Sequence, residues 1–129
     1  ILAVMSRGVD SPLDEGDFNR LACRAFAHQY RYNAPYQAYC RRRGAMPETV
    51  SHWREIPAVP TDTFKVAALT TVSPEEVQVT YLTSGTRQGE GRRGRHMLPN
   101  TRLYDASLLP NARAHLFPEG PAPRVFILG

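Results

Sequence analysis

Thr83-Ser84-Gly85-Thr86-Arg87-Gln88-Gly89 gathers three hydroxyls, two glycines and an arginine into seven residues. The hydroxyls can donate hydrogen bonds. Gly85 and Gly89 tolerate positive φ and let backbone N–H groups approach a ligand closely. Arg87, followed by Arg92, Arg93 and Arg95, adds planar guanidinium forks that match phosphate oxygens in pairs, as lysine cannot. Together these types suit an anion, above all the polyphosphate of a nucleotide, and make Thr83, Ser84, Gly85, Thr86, Arg87 and Gly89 the candidate nucleotide-binding residues. The bland alternative is a solvated surface loop. A Walker loop is excluded, because Gly-x-x-x-x-Gly-Lys-Ser/Thr needs a lysine and none stands between Tyr81 and His96. Gly89-Glu90-Gly91 with Gly94 spells Gly-x-Gly-x-x-Gly, but it follows a basic loop rather than a strand, so a dinucleotide fingerprint is not assigned.

Other reactive types are sparse. His28, His52, His96 and His115 show no metal-ligand spacing, and no Ser/His/Asp set can be assembled from the order of residues, so neither a metal centre nor a hydrolase is assigned. Cys23 and Cys40 fall on separate predicted helices and read as reduced packing positions. Arg41, Arg42 and Arg43 directly after Cys40 would favour its thiolate, although Cys40 is not assigned as a nucleophile. Lys65, the sole lysine, reads as a solvated side chain, with a point-charge contact to phosphate as the alternative.

The elements that must position the loop follow from periodicity. Val77, Val79 and Tyr81 alternate with Gln78, Thr80 and Leu82, which predicts a strand running into the loop. Upstream, Phe18, Leu21, Cys23, Ala25, Phe26 and Tyr30 predict a helix from Asp14, with Asp14, Glu15 and Asp17 suited to its positive end. Asn33 caps a second helix with Pro35 in its first turn and Gly44 as its stop. A short helical piece is expected from Pro47 to Trp53. Ile56 to Lys65 then reads as a proline-stiffened extended connection, ending in a turn around Phe64 that Thr61 or Asp62 caps. Beyond the loop, Asn100 or Thr101 caps a third helix that Pro110 should kink or end near Leu109. Residues 1–13 read as an irregular lead-in, and 124–129 as a terminal strand just beginning, which points to a piece of something larger. The order of helices, strand, helix and strand predicts an α/β class.

Composition sets the outer bounds. The chain has 129 residues, one domain's length, with 42% hydrophobic residues, fitting a soluble globular class. Apolar runs are too short for a membrane span or a signal peptide, so a cytosolic location is expected. The formal charge is +4, and 15 of the 16 basic residues are arginine, a bias that genome composition can also produce.

Two stretches carry a family resemblance: Ile56-Pro-x-Val-Pro-x-x-x-Phe-Lys65, and Thr83-Ser-Gly-Thr86 after a strand. Together they resemble the amino-terminal part of the acyl-protein synthetases, the fatty-acid-activating components of the fatty acid reductase of luminous bacteria, and through them the wider adenylate-forming superfamily. The resemblance runs from about Phe18 to the end of the chain. It implies that residues 1–129 are the amino-terminal part of an adenylate-forming large domain, an incomplete domain of helices followed by the first strands of that fold. It also implies a parent enzyme that uses ATP and Mg2+ to convert a fatty or other carboxylic acid to an acyl-adenylate and then passes the acyl group to a thiol, with an acyl-CoA or acyl-protein reductase as partner. Thr83, Ser84, Gly85 and Thr86 carry over as phosphate-loop positions. The family's loop usually continues Thr-Gly, then lysine or a polar run; Arg87-Gln88-Gly89 stands there instead, and Arg87 is read as a substitute cation. The family's adenine pocket, magnesium-binding acid, acyl pocket, catalytic lysine and acyl-accepting cysteine are expected beyond residue 129, so this stretch alone is expected to be inactive. Nucleic acid is not expected as a partner; the rival from another class is an arginine-rich RNA- or polyanion-binding module using Arg41–Arg43 and Arg92–Arg95.

Overall fold

A computed structural model describes residues 1–83 and 93–117. These fall into two compact units, one formed by 14–100 and one by 1–13 with the chain from Thr101 onward. The described residues carry helices and one small antiparallel sheet, a mixture compatible with part of an α/β protein. The terminal strand expected at 124–129 lies outside them.

In the larger unit, α2 spans Glu15–Tyr32 and α3 spans Ala34–Arg42. Asp14 caps α2 by accepting the Asp17 N–H at 2.7 Å, and Asp17 also pairs with Arg20. Asn33 ends α2 and begins α3. Its Oδ1 accepts the Tyr36 N–H at 3.2 Å, its Nδ2 donates to Gln29 Oε1 at 3.3 Å, and its own N–H closes α2 on the Gln29 carbonyl at 2.9 Å. That full use of its polar atoms is why an asparagine can be buried at the joint. Gly44 takes φ +67°, donating to the Arg41 carbonyl at 3.1 Å while Ala45 donates to that of Cys40 at 3.1 Å. This pair of bonds is a Schellman stop, which a left-handed glycine permits without a Cβ clash.

The two helices close on Phe26, Cys40 and Val50, with Tyr30, Tyr36, Tyr39, Ala45 and Ile56 packed around them. After α3 the chain returns across α2. Asn19 fixes this return, its Oδ1 accepting the Trp53 N–H at 2.7 Å and its Nδ2 donating to the Ser51 carbonyl at 3.0 Å. The Trp53 ring meets Phe18 edge-on at 5.5 Å. The expected helical piece at 47–53 is instead a turn followed by a single 3-10 turn over Trp53–Glu55. Glu55 holds that turn by accepting the N–H groups of Ser51 at 2.9 Å and His52 at 3.1 Å, which keeps its carboxyl below the usual glutamate range.

The smaller unit holds α1, Leu2–Met5, within the stretch read as irregular, and α5, Arg102–Leu116, packed against it. Of the two outcomes expected at Pro110, a kink or an end near Leu109, the end does not occur: the helix runs on to Leu116. Proline removes only its own N–H and crowds one turn, and the flanking residues Leu108, Leu109, Ala112 and Ala114 leave the rest of the ladder in place.

Candidate functional site

The chain leaves the core for the loop by way of Ile56 to Lys65. Pro57 and Pro60 remove backbone donors and hold their predecessors extended. The carbonyls that remain find side-chain partners: the Tyr36 hydroxyl donates to the Pro57 carbonyl at 2.8 Å, and the Tyr39 hydroxyl to that of Ala58 at 2.8 Å. The tyrosines therefore tie the proline segment to α3. Burial, reinforced by hydrogen bonding with Cys40, pushes the Tyr36 phenol far above the ordinary tyrosine value, so Tyr36 acts as a neutral donor.

Past the prolines, α4 spans Thr63–Val66. Its Lys65 pairs with Asp62 one turn earlier, on the exposed side. Phe64 turns the other way. Its ring lies 4.4 Å from that of His96, which belongs to a strand that the period-2 pattern did not disclose.

That strand, β2, spans Arg95–Leu98 and pairs antiparallel with β1, Val79–Leu82, in a register running from Val79 opposite Leu98 to Leu82 opposite Arg95. Ser73 and Glu76 cap the 3-10 turn that feeds β1, and Gln78 N–H extends the ladder to the Leu98 carbonyl at 3.0 Å. Segment 84–92 thus joins the strands of a hairpin, and Arg95 and His96, expected in the loop's exit, are strand residues. At the last described pair, Thr83 N–H donates to the Gly94 carbonyl at 2.9 Å, and Gly94 N–H donates to Thr83 Oγ1 at 2.9 Å. Thr83 therefore has a structural task at the hairpin's mouth. Its hydroxyl oxygen accepts a bond there, a role that does not use the hydroxyl proton. Ser84, Gly85, Thr86, Arg87 and Gly89 lie outside the described residues.

Gly94 is buried, and a Cβ placed on it would meet Phe64 Cβ at 3.2 Å, Thr83 Cγ2 at 3.2 Å and Thr83 Oγ1 at 3.3 Å. Phe64, Gly94 and His96 meet around this mouth, and none of them was expected as a binding residue. A signal for Phe64 stood in the proline motif. Gly94 was visible only as the last member of a misleading glycine pattern.

The remaining chemistry-bearing residues stand elsewhere. Cys40 is completely buried, and burial pushes its thiol up despite the opposing Tyr36 hydrogen bond and Arg43 charge, so the expected preference for thiolate beside the arginines is overturned. Arg41 donates to the Tyr30 hydroxyl at 3.2 Å, and the Arg43 guanidinium lies 4.6 Å from the Tyr39 ring centre. These contacts give two of the three clustered arginines a packing role. Among the described residues no three His, Cys, Asp or Glu side chains are grouped to hold a metal ion, and no helix is long and apolar enough to cross a membrane.

Comparison with known proteins adds a lineage. A family model described as acyl-protein synthetase, LuxE, matches residues 9–105. The chain is 35% identical over 68 residues to the long-chain-fatty-acid–luciferin-component ligase of Vibrio harveyi, a match covering 53% of this chain and 18% of that protein. Against the ligase of the same name from Aliivibrio fischeri it is 33% identical over 85 residues, 66% of this chain and 22% of that one. The Photorhabdus luminescens counterpart is 30% identical over 67 residues, 52% of this chain and 57% of that protein. The chain thus spans about a fifth of the first two relatives and somewhat more than half of the third. No solved structure matches.

Proposed function

This chain belongs to the acyl-protein synthetase family, LuxE, and from that premise we propose that the protein carrying it activates a fatty acid as the acyl-adenylate, with ATP as co-substrate, and then transfers the acyl group to a thiol. The observation that carries this reading is the span of the family match. Residues 9–105 contain both the proline segment and the whole Thr83–Gly89 stretch, the two motifs that carry the resemblance, and the residue types of the second suit polyphosphate. In the wider fold, residues 1–129 are then the amino-terminal part of an adenylate-forming large domain.

The reaction sets out what the residues must do. A carboxylate oxygen attacks the α-phosphorus of ATP, an acyl–phosphate bond forms, and pyrophosphate departs with the bond's electron pair. Charge grows on the departing group, and fixed donors aimed at it lower the barrier. Thr83 has a hydroxyl proton to give to this task. Ser84 and Thr86 add hydroxyl donors, Gly85 and Gly89 allow backbone N–H groups to approach, and Arg87, standing where the family usually carries a threonine, supplies a paired-donor cation in place of the missing lysine. Mg2+ enters with the phosphates, since that ion is commonly held by one or two carboxylates together with substrate oxygens. In the second step a thiolate attacks the acyl carbonyl and AMP leaves. A reductase that consumes the acyl product is the partner this chemistry calls for.

The test is carboxylate-dependent exchange of labelled pyrophosphate into ATP by the full-length protein, across fatty and aromatic acids. Exchange should require an acid and favour long alkyl chains. Thr86→Ala and Arg87→Ala should each lower it by roughly 100- to 1,000-fold, the range for removing one transition-state donor. A folded protein that exchanges with no acid overturns the reading.

A further inference from the structure

The sides of α2 differ sharply in what they carry. Asn19, Cys23, Phe26 and Tyr30 share one side, which meets the core and the returning chain at Ser51. Arg20, Arg24, His28 and Arg31, spaced by four, four and three residues, line a side turned away from it, and all four are exposed. Asp17 pairs with Arg20 there, while Arg24 and Arg31 have no acidic partner among the described residues. The imbalance extends along the chain, since Phe18 to Pro47 holds six arginines and no aspartate or glutamate. Beside the arginine row runs an apolar stripe of Phe18, Leu21, Ala25 and Tyr32, in which Phe18 is 45% and Tyr32 51% exposed. The Tyr32 ring joins the two rows: the Arg31 guanidinium lies 5.3 Å from its centre and the His28 ring 4.8 Å away.

We propose that this outer face of α2 docks the protein on a membrane surface rich in anionic lipid, from which the enzyme draws its fatty acid. Guanidinium forks pair with the phosphate oxygens of lipid headgroups. An acidic protein would satisfy the charge alone, but a row of arginines running beside exposed aromatic rings fits the boundary between headgroups and acyl chains, where one end of a side chain is wet and the other apolar. The substrate supplies a second reason, and this part rests on the proposed activation of a fatty acid. Each methylene favours an apolar phase over water by about fourfold, so a long-chain acid is concentrated in bilayers and scarce in solution. A cationic face that holds the enzyme at the bilayer places it where its substrate is, and the acid's own carboxylate adds to the negative charge of that surface.

Co-sedimentation of the full-length protein with vesicles of phosphatidylglycerol and phosphatidylcholine in equal parts tests the docking without any catalysis. Binding should exceed that to pure phosphatidylcholine by at least about tenfold, and most of the difference should vanish as salt rises from about 0.05 to about 0.5 M. Arg24→Gln and Arg31→Gln should each weaken it about fivefold. Both side chains lie outside the core, so the melting temperature should stay within about 2 °C of wild type. Arg7→Gln combined with Arg113→Gln removes the same charge from exposed positions of the smaller unit and should cost less than about twofold. Pyrophosphate exchange then ties docking to supply: with hexadecanoate carried in the mixed vesicles, the Arg24→Gln, Arg31→Gln double variant should raise KM for the acid about tenfold and leave KM for ATP within about twofold. Equal binding to the two kinds of vesicle, or an equal loss in the Arg7, Arg113 pair, overturns the docking face. Tighter binding of a single-stranded RNA, lost in the Arg24, Arg31 double variant, would assign the face to nucleic acid and overturn it as well. Docking in a protein that exchanges with no acid would sink the adenylation reading and the supply role while bearing out the surface. An unchanged KM for hexadecanoate in the double variant, with exchange intact, overturns the supply role alone.

Discussion

Replacing Asn33 with alanine should loosen the joint between α2 and α3 by an amount that the geometry allows to be worked out. Its Oδ1 caps α3, and the Tyr36 N–H it satisfies lies in partly buried surroundings. Losing such a cap costs about 1 kcal/mol on average and up to about 2 where water cannot replace it. The amide contact to Gln29 at 3.3 Å is long and adds about 0.5 kcal/mol or less. A total near 2 kcal/mol corresponds to roughly a 30-fold rise in local opening. Hydrogen exchange followed by mass spectrometry on peptides covering 34–40 reads that opening directly. Asn33→Ser retains a capping oxygen but not the amide donor, so it should raise exchange only about two- to fourfold. Exchange in Asn33→Ala within twofold of wild type would refute the assignment of Asn33 as an energetic cap.

Three other outcomes follow from the same core. The Tyr36 phenol is raised above the ordinary value by burial, so its contribution to stability is complete below about pH 10 and declines as pH climbs from there toward the raised value; Tyr36→Phe should flatten that alkaline decline, measured by urea unfolding across pH 9 to 11. Native alkylation with iodoacetamide, mapped by peptide mass, should modify half-buried Cys23 well before Cys40, and equal rates would contradict the buried, raised thiol. The Glu55 carboxyl, held down by two backbone N–H groups, should titrate below the usual glutamate range by carbon NMR. What it contributes to stability is present above the ordinary glutamate pKa and is lost as pH falls through the depressed one, so Glu55→Gln should weaken the Trp53 turn at neutral pH and not at strongly acid pH.

The legible parts of this fold were those written in local chemistry. Asn33 caps the helix it was expected to cap, Asp14 stands at the start of α2 where an acid was expected, Gly44 is the left-handed stop, and Val77 to Leu82 lead into a strand, because caps, left-handed stops and period-2 alternation act over a few residues. The second strand was hidden because Arg95-His96-Met97-Leu98 shows no alternation and owes its form to pairing with β1 and to Phe64 beneath it. Pro110 misled in the opposite direction, since a local rule for ending helices gave way to the continuing ladder of α5. At the candidate site the hydroxyls and arginines led to the expectation of an anion-binding loop, most of which lies outside the described residues. The Thr83–Gly94 clasp and the Phe64 contact could not be read, because they depend on residues 11 and 30 positions apart that only folding brings together.

The most direct test of the central claim is to follow one oxygen atom. The full-length protein is supplied with ATP, Mg2+, a thiol acceptor and a long-chain fatty acid labelled with oxygen-18 in its carboxyl group. Attack of the carboxylate on the α-phosphorus followed by acyl transfer leaves one carboxyl oxygen on the released AMP, so mass spectrometry should find AMP heavier by the label and pyrophosphate unlabelled. Label in inorganic phosphate, with ADP as the nucleotide product, would mean attack at the γ-phosphorus and would contradict adenylation.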